Sequence, residues 1–334
     1  MRILYTGLLA LVLATFTLSE AARGDQGGGA ASGVPPLPYK AVEWPALPAS
    51  AAGFPAPWNF IQVSSVAVSP RGTIVVLHRG AHPILEFDSG GKLIRSWSTP
   101  TFSEGKVAGI PKNNWAPDRS RYSATYGPAG CDSCGAHSVR VDPQGNIWLV
   151  DATSHVIYKT NQDGKELMRL GTKGTAGASQ TTFNLPTDVA FAANGDLYVS
   201  DGYGGNLVVK LSKDGKYLLE WGKRGDGPGE FRLPHNLVVD AQGRVYVTDR
   251  DNQRIEVFDG NGKFLTEWKN TGGVSGLAMT KDGHIWAGSV LRDPNGKAIG
   301  MLAGGGAAHG VAVADNGDVY LAQLSGVVQK YVKQ

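Results

Sequence analysis

A glycine-turn motif recurs six times along this chain, and it limits the possible folds more than any other feature. Each copy has an apolar strand, a turn that ends in glycine, and a second apolar strand followed by a polar loop. A third strand and another glycine turn follow in most copies, so that a copy has roughly 40–50 residues. We expect tight hairpins in which each glycine adopts a positive φ. The six turns are Arg71-Gly72, Gln144-Gly145, Asn194-Gly195, Gln242-Gly243, Asp282-Gly283 and Asn316-Gly317.

Four strands in each copy of this length are typical of a propeller blade. The 46 glycines and the alternating valine, leucine and aromatic runs favour many short strands over helices. We therefore predict an all-β, six-bladed β-propeller over residues 37–334. The last copy contains three strands before Gln334, so we expect a strand from residues 39–44 to complete that blade and close the ring.

The N-terminal residues have the pattern of an export signal. A basic residue, an apolar stretch over residues 3–18 and small residues after it predict a cleaved signal peptide over 1–22. A permanent membrane anchor is the alternative, although about 16 apolar residues are short for a span. Residues 23–36 have no core-forming side chains, and we expect a flexible tether. The sequence thus predicts a secreted or periplasmic protein with no membrane attachment after cleavage.

Charge and cysteine content argue against several other classes. The 32 basic and 29 acidic residues are scattered over the copies and form no basic stripe for nucleic acid. Cys131 and Cys134 make one Cys-x-x-Cys pair, which is too few for a zinc site of that kind, and Gly135 stands where covalent haem needs histidine. In an exported chain we expect a disulfide between them. Both lie in the long link 98–136, which is either a lid over a binding site or a disordered surface loop.

Three histidines occupy the same position of the repeat in every second copy. In a ring of six blades, their imidazoles would come from blades two, four and six and point at one axis. Three neutral imidazoles with an open fourth position form a catalytic zinc site. Alternatively, the polar residues at this position only cap strand starts around a watery channel. The aligned residues are Ser64, His137, Thr187, His235, Ser275 and His309.

Propeller topology predicts which other residues lie at the same mouth. The starts of the innermost strands, the ends of the second strands and the links between blades share one face. Arg79, Tyr203 and Arg250 follow second strands, so we expect them on the face that carries the histidines. A core tyrosine normally lies within a strand. Tyr203 lies in the glycine-rich loop 201–205 instead, and we expect the freedom of this backbone to present its ring to the axis.

At these residues the chain resembles a known family. The resemblance is to the NHL-repeat propellers and, within them, to the peptidyl-α-hydroxyglycine α-amidating lyases. It covers nearly the whole chain past residue 58. Beside the three spaced histidines, the motifs that carry it are LHRG at 77–80, SDGYGG at 200–205, and PHNL at 234–237 followed by DRDN at 249–252.

The resemblance implies a carbon–nitrogen lyase with Zn²⁺ on His137, His235 and His309. Such an enzyme cleaves a peptidyl or N-acyl α-hydroxyglycine to an amide and glyoxylate. It also implies that Tyr203 is the base that takes the hydroxyl proton of the substrate, with Arg79 beside the metal. A phenol, whose ordinary pKa is about 10, needs a nearby cation to ionise near neutral pH. Arg250 is a third candidate catalytic residue at the same mouth, and the partner would be a small-molecule or peptide substrate of a monomeric enzyme.

The chain departs from this family at a second metal, a structural calcium. Val139 matches a position that offers the calcium a backbone carbonyl. Gly310 replaces the aspartate that ligates the calcium, and Ala307 replaces a methionine near the zinc. The family's bridging cysteines correspond to Asn184 and Gly204. The resemblance therefore gives Ca²⁺ a carbonyl ligand here without the family's carboxylate.

Two functions from different classes remain open at this point. The first is a zinc-dependent enzyme similar to the amidating lyases. The alternative is a non-catalytic NHL-repeat propeller that binds a protein, peptide or glycan at the central mouth. A lactonase-type calcium propeller is disfavoured, because that chemistry needs carboxylate and amide ligands around the axis where this repeat offers histidines.

Overall fold

A computed structural model of the chain describes residues 33–45, 60–80, 82–97, 102, 135–177 and 180–334. Its strands form six four-stranded sheets, which confirms the predicted all-β, six-bladed β-propeller. No helix in the described ranges is long and apolar enough to cross a membrane. The predicted signal peptide over 1–22, the pair Cys131 and Cys134, and most of the link 98–136 lie outside the described residues.

Each blade is an antiparallel meander. Blade one is β2–β5, blade two β6–β9, blade three β10–β13, blade four β14–β17, blade five β18–β21, and blade six β22–β24 with β1. The strands are β1 (Tyr39–Val42), β2 (Val63–Val68), β3 (Ile74–His78), β4 (Ile84–Phe87), β5 (Leu93–Trp97), β6 (Ala136–Val141), β7 (Ile147–Asp151), β8 (Val156–Thr160), β9 (Glu166–Leu170), β10 (Asp188–Phe191), β11 (Leu197–Asp201), β12 (Leu207–Leu211), β13 (Tyr217–Trp221), β14 (Pro234–Val239), β15 (Val245–Asp249), β16 (Arg254–Phe258), β17 (Phe264–Trp268), β18 (Leu277–Met279), β19 (Ile285–Ala287), β20 (Val290–Arg292), β21 (Ala298–Met301), β22 (Gly310–Val313), β23 (Val319–Gln323) and β24 (Val327–Lys333).

The six predicted glycine turns connect the first and second strands of the blades. In the first of them, Gly72 has a φ of 77°, and the glycines at the equivalent positions also have positive φ. The N–H of Gly72 donates to the carbonyl of Ser69, and the N–H of Ser69 donates to the carbonyl of Thr73. Three residues, 70–72, therefore lie between the paired residues Ser69 and Thr73, whereas the tightest hairpins have two. Glycine is favoured at the third, because that residue takes the left-handed conformation.

The N-terminal segment completes the last blade, as the sequence predicts. β1 pairs antiparallel with β24, so that Tyr39 faces Lys333. Before β1, the chain runs along blade five, where the carbonyl of Pro35 accepts the N–H of Met301. Pairing with β1 on one side and β23 on the other leaves β24 with no free edge.

The apolar core lies between blades rather than within them. Six clusters of buried side chains each combine residues of two neighbouring blades. Between blades two and three, for example, Val150 and Ile157 pack with Val189 and Val199. A blade is covered only by its neighbours, so the position of each strand start at the mouth is set by the blades on either side.

Candidate metal centre

His137, His235 and His309 converge at the centre of the ring. His137 and His235 are the second residues of β6 and β14, and His309 directly precedes β22. Their ring centroids are 4.7 to 4.9 Å apart. One potential ligand nitrogen of each lies within 4.8 Å of the other two, and all three residues are buried. Among the described residues, this is the one group of histidine, cysteine or acidic side chains arranged to hold a metal ion.

Backbone carbonyls of the intervening blades determine how each imidazole is turned. In each case Nδ1 faces the carbonyl oxygen of the aligned residue in the next blade: His137 faces Thr187 at 2.6 Å, His235 faces Ser275 at 3.2 Å, and His309 faces Ser64 at 2.7 Å. A carbonyl oxygen can only accept, so each Nδ1 carries the proton and each Nε2 keeps a lone pair. The alternation of histidine with serine or threonine thus pairs every imidazole with a neighbouring blade.

The surroundings keep the three imidazoles neutral. Burial and the neighbouring His309 lower the pKa of His137 and of His235 well below the ordinary value of 6.5. Burial and the charge of Arg79 lower the pKa of His309 to about 3. Only neutral imidazole binds a metal ion, so at neutral pH a cation would not have to displace protons from these nitrogens.

Tyr203 lies between two of the histidines. Its hydroxyl oxygen is 3.0 Å from Nε2 of His137 and 3.3 Å from Nε2 of His235. The ring is buried against Leu185 and Leu233. Because both nitrogens carry lone pairs, the phenol is the donor in these contacts. A hydroxyl group therefore occupies the region toward which the free histidine nitrogens point.

The glycines around Tyr203 serve close packing. A Cβ on Gly202 would lie 2.0 Å from the carbonyl oxygen of Pro234, and a Cβ on Gly204 would lie 2.3 Å from Oδ1 of Asn184. Neither glycine has a positive φ. The loop thus presents Tyr203 through tight contacts with the neighbouring links, where we expected backbone freedom. Asn184 and Gly204, which match the family's bridging cysteines, are direct neighbours.

Two arginines add positive charge around the histidines. Arg79 is buried, and its Nε donates to the carbonyl of Ala136 at 3.2 Å, so that it also holds the residue before His137. Arg250 lies in a single 3-10 turn over Arg250–Asn252, with its guanidinium carbon 5.9 Å from the centre of the Tyr203 ring. The charges of both arginines contribute to the lowered pKa of His137.

His78 organises the turn that presents Arg79, a role that the sequence analysis missed. Its Nδ1 accepts the N–H groups of Ile61 at 3.2 Å and of Gly80 at 3.3 Å, and its Nε2 donates to the carbonyl of His82 at 2.7 Å. A Cβ on Gly80 would lie 2.7 Å from the His78 ring, which explains the glycine of the LHRG motif. Repeat position carries no signal for this role, because the other histidines do not share it.

The groups beneath the histidines lack the carboxylate of the calcium site that the resemblance implies. The carbonyl of Val139 accepts the hydroxyl of Ser65 at 3.4 Å. A Cβ on Gly310 would lie 3.0 Å from Cα of Ser65, so an aspartate there would press against the backbone of blade one. The carbonyl of Val139 thus has one partner within the chain, and a side chain at position 310 would require a small shift of the blade-one backbone.

Comparisons with known proteins agree with this fold. Residues 183–269 match a family described as a 6-bladed beta-propeller. The probable peptidyl-alpha-hydroxyglycine alpha-amidating lyase of Caenorhabditis elegans is 30% identical over 242 residues, which are 68% of this chain and 63% of that protein. NHL repeat-containing protein 3 of Homo sapiens is 37% identical over 150 residues, 41% of this chain and 43% of that protein. The chain is a six-bladed β-propeller related to both.

Some relatives of this propeller are much longer. The peptidylglycine alpha-amidating monooxygenase of Rattus norvegicus is 32% identical over 220 residues, which are 63% of this chain and 22% of that protein. Among solved structures, a streptogramin B lyase has a TM-score of 0.55 at 15% identity, over 84% of this chain and 96% of that one. A putative gluconolactonase has a TM-score of 0.56 at 15% identity, over 83% and 93%. One is named a lyase and the other a lactonase, so the shared fold does not choose the chemistry.

Proposed function

We propose that this propeller is a zinc-dependent lyase that breaks the C–N bond of a peptidyl or N-acyl α-hydroxyglycine. The products would be an amide and glyoxylate. The observation that carries the proposal is the set of three buried, neutral imidazoles, each with its Nδ1 on a backbone carbonyl, around the hydroxyl of Tyr203. Relatives named as amidating lyases support the same reaction.

The donor set fits a catalytic zinc ion better than a structural one. Structural zinc sites close their coordination with four protein ligands, whereas catalytic sites use three and keep one position open. The carbonyls of Thr187, Ser275 and Ser64 orient the three rings, in the way that outer partners orient metal-ligating histidines. When bound, zinc would act as a Lewis acid toward an oxygen of the substrate.

Tyr203 is the base of the proposed reaction. As the phenolate, its oxygen accepts the proton of the substrate hydroxyl, and that C–O bond becomes the aldehyde C=O of glyoxylate. The C–N bond breaks with its electron pair going to nitrogen, and the proton returns from Tyr203 to that nitrogen to complete the amide. Atoms and charge balance without an oxidant or reductant. Positive charge beside a phenol favours its ionised form, and Arg250 lies against this ring.

The arginines match the charge of the proposed substrate. An α-hydroxyglycine carries a carboxylate on its reacting carbon, and Arg79 and Arg250 place positive charge near the histidines. Asp251 pairs with Arg250 at 3.3 Å. Positive charge at a site favours an anionic ligand. We propose that the exported, monomeric protein takes peptidyl or small N-acyl substrates of this kind.

The test combines metal analysis with turnover. The protein, purified without a histidine tag, should contain about one zinc per chain. It should convert α-hydroxyhippurate to benzamide and glyoxylate, and activity lost with a chelator should return with zinc. Zinc on the protein without turnover of any hydroxyglycine substrate would favour the non-catalytic propeller that binds a protein, peptide or glycan.

His235→Ala tests the ligand set. It should abolish tight zinc binding and leave the far-UV circular dichroism spectrum unchanged, because the blade cores do not include this residue. His284→Ala is the matched control, since His284 pairs with Asp282 on a turn of blade five. Equal zinc affinity in His235→Ala and the wild type would exclude the proposed centre.

A further inference from the structure

We infer that Asp188 is a positioning residue that holds His137 and His235 in their metal-binding arrangement. The inference rests on the metal centre of the proposed function. Asp188 opens β10 directly after Thr187, whose carbonyl faces Nδ1 of His137. Its side chain is fully buried.

The carboxylate of Asp188 joins the strand starts of three blades. Its Oδ1 accepts the hydroxyl of Ser138 at 2.5 Å, and its Oδ2 accepts the N–H of Leu237 at 3.2 Å. Ser138 directly follows His137 in blade two, and Leu237 lies two residues after His235 in blade four. One side chain in the intervening blade therefore fixes the spacing of the two strands that deliver these histidines.

Arg140 supplies the countercharge that a buried carboxylate requires. Its Nε donates to Oδ1 of Asp188 at 2.9 Å, and its Nη2 makes a second short bond to Oδ2. Its Nη1 donates to the carbonyl of Leu277 in blade five at 3.3 Å. The pair thus extends beneath the histidines toward a fourth blade.

The position of Asp188 belongs to a second row of bonds between blades, one residue below the histidine row. In this row Ser65 donates to the carbonyl of Val139 at 3.4 Å, and Oδ1 of Asn236 accepts the N–H of Leu277 at 3.2 Å. Asp188 alone of the aligned residues carries a charge. The aligned residues are Ser65, Ser138, Asp188, Asn236, Gly276 and Gly310.

The experiment is Asp188→Asn, with zinc affinity measured by competition with a chelator. An amide keeps the size of the side chain but replaces one of the two accepting oxygens with an NH₂ group. It therefore cannot accept all the hydrogen bonds from Ser138, Leu237 and Arg140. Loss of an outer partner typically weakens metal binding by about 10- to 100-fold, and we expect a decrease in that range. The visible absorption of bound Co²⁺ should also change, because it reports ligand geometry rather than overall stability.

Asp240→Asn is the matched control. Asp240 is also a buried aspartate with an arginine partner, Arg244 at 2.6 Å, but it lies in the turn between β14 and β15, at the other end of β14 from His235. This variant should keep wild-type zinc affinity and the wild-type Co²⁺ spectrum even where it loses stability. If both variants lose zinc affinity equally, the loss in Asp188→Asn comes from a general decrease in stability. That result would overturn the inference.

The remaining outcomes separate this inference from the proposed function. Unchanged affinity and an unchanged Co²⁺ spectrum in Asp188→Asn would overturn the inference and leave the metal centre intact. Zinc binding without lyase activity in the wild type would overturn the reaction only. A wild type that binds no metal would overturn both. If Asp188→Asn does not fold, Ser138→Ala decides instead, with a decrease of roughly 3- to 10-fold expected for one lost bond and no change counting against the inference.

Discussion

At the scale of single residues, proton positions determine what the centre can do. Nδ1 of His137 and of His235 donates to a backbone carbonyl, so Nε2 of each ring carries a lone pair. Both lone pairs face the hydroxyl of Tyr203, which has one proton to donate. A metal ion on those lone pairs would release this hydroxyl toward a substrate. The ring of Tyr203 is buried against Leu185 and Leu233, and its oxygen lies close to Nε2 of His137 and of His235.

Tyr203→Phe separates the base from the metal site. The variant keeps the ring packing and loses only the hydroxyl, so turnover of α-hydroxyhippurate should fall at least ~100-fold, the usual scale for loss of a general base. Zinc content should stay the same. Tyr198→Phe is the control, because that hydroxyl donates to the carbonyl of Gly260 away from the centre. Full activity in Tyr203→Phe would remove this tyrosine from the mechanism even if zinc is present.

At the scale of structural elements, a buried ionic cluster holds the link that leads to His235. Arg254, at the start of β16, donates to the carbonyls of Asp226, Gly227 and Glu230 in the link between blades three and four. Asp249 pairs with the same guanidinium at 3.1 Å. The link that precedes β14, the strand of His235, is therefore held in place by the guanidinium of Arg254.

Glu256 is a buried carboxyl group beside this cluster. Its Oε1 accepts the N–H of Gly229 at 2.9 Å, but Oε2 is buried without a hydrogen-bond partner. Burial raises the pKa of Glu256 from 4.5 to about 7, although the Gly229 N–H and Arg254 act in the opposite direction. The folded protein then keeps this proton over a range in which the unfolded chain has released it. The contribution of Glu256 to the free energy of unfolding should therefore fall as pH rises from about 4.5 to about 7.

Glu256→Gln should remove this pH dependence. We expect the free energy of unfolding of the variant, minus that of the wild type, to rise by up to roughly 3 kcal/mol between pH 4.5 and 7 and then level off. Urea denaturation of the metal-free proteins at each pH measures it. Other titrating groups, including the buried histidines, contribute equally to both proteins and cancel in the difference.

Glu267→Gln gives the opposite sign and serves as the control. Burial favours the neutral form of Glu267, but bonds from Lys269 and Arg254 outweigh it and lower its pKa below 4.5. This carboxylate stabilises the fold above its unfolded pKa, and the contribution is lost as pH falls. Parallel curves for the Glu256 and Glu267 variants would contradict the assignment of separate roles.

At the scale of the whole molecule, stability depends on closing the ring. Each core cluster is shared by two blades, so an unclosed ring would leave one face of two blades in water. The N-terminal segment prevents this by pairing β1 with β24. Trp44 then packs edge-to-face with Phe87 of blade one and with Tyr320 of blade six, at ring distances of 5.3 and 5.1 Å.

Trp44→Ala should lower the free energy of unfolding by about 3–5 kcal/mol, the range for removing a large aromatic side chain from a core. Leu218→Ala, at an exposed position of the outer strand of blade three, should change it by less than about 0.5 kcal/mol. Denaturant titration followed by circular dichroism measures both. A decrease of less than ~1 kcal/mol in the free energy of unfolding of Trp44→Ala would mean that this residue does not stabilise the contact between blades one and six.

Much of this architecture follows from the sequence because its causes are local or repeated. Glycine turns and strand alternation predict hairpins, the repeat length predicts blades, and the missing last strand predicts the role of residues 39–44. Repetition extends this to the centre, since aligned positions of a ring face one axis. The sequence alone therefore groups His137, His235 and His309.

The tertiary structure decided which partners these residues have. The imidazoles are oriented by carbonyls of Thr187, Ser275 and Ser64, and a backbone carbonyl is the same group in every residue type, so it leaves no sequence signal. Arg140 and Leu277 lie 137 positions apart in the sequence, and they come into contact only because the blades close into a ring. Gly310 packs against Ser65 in the same way, because this contact forms only when blades six and one meet. Local chemistry could be predicted from residue type and spacing, but the contacts between blades exist only when all six blades are in place.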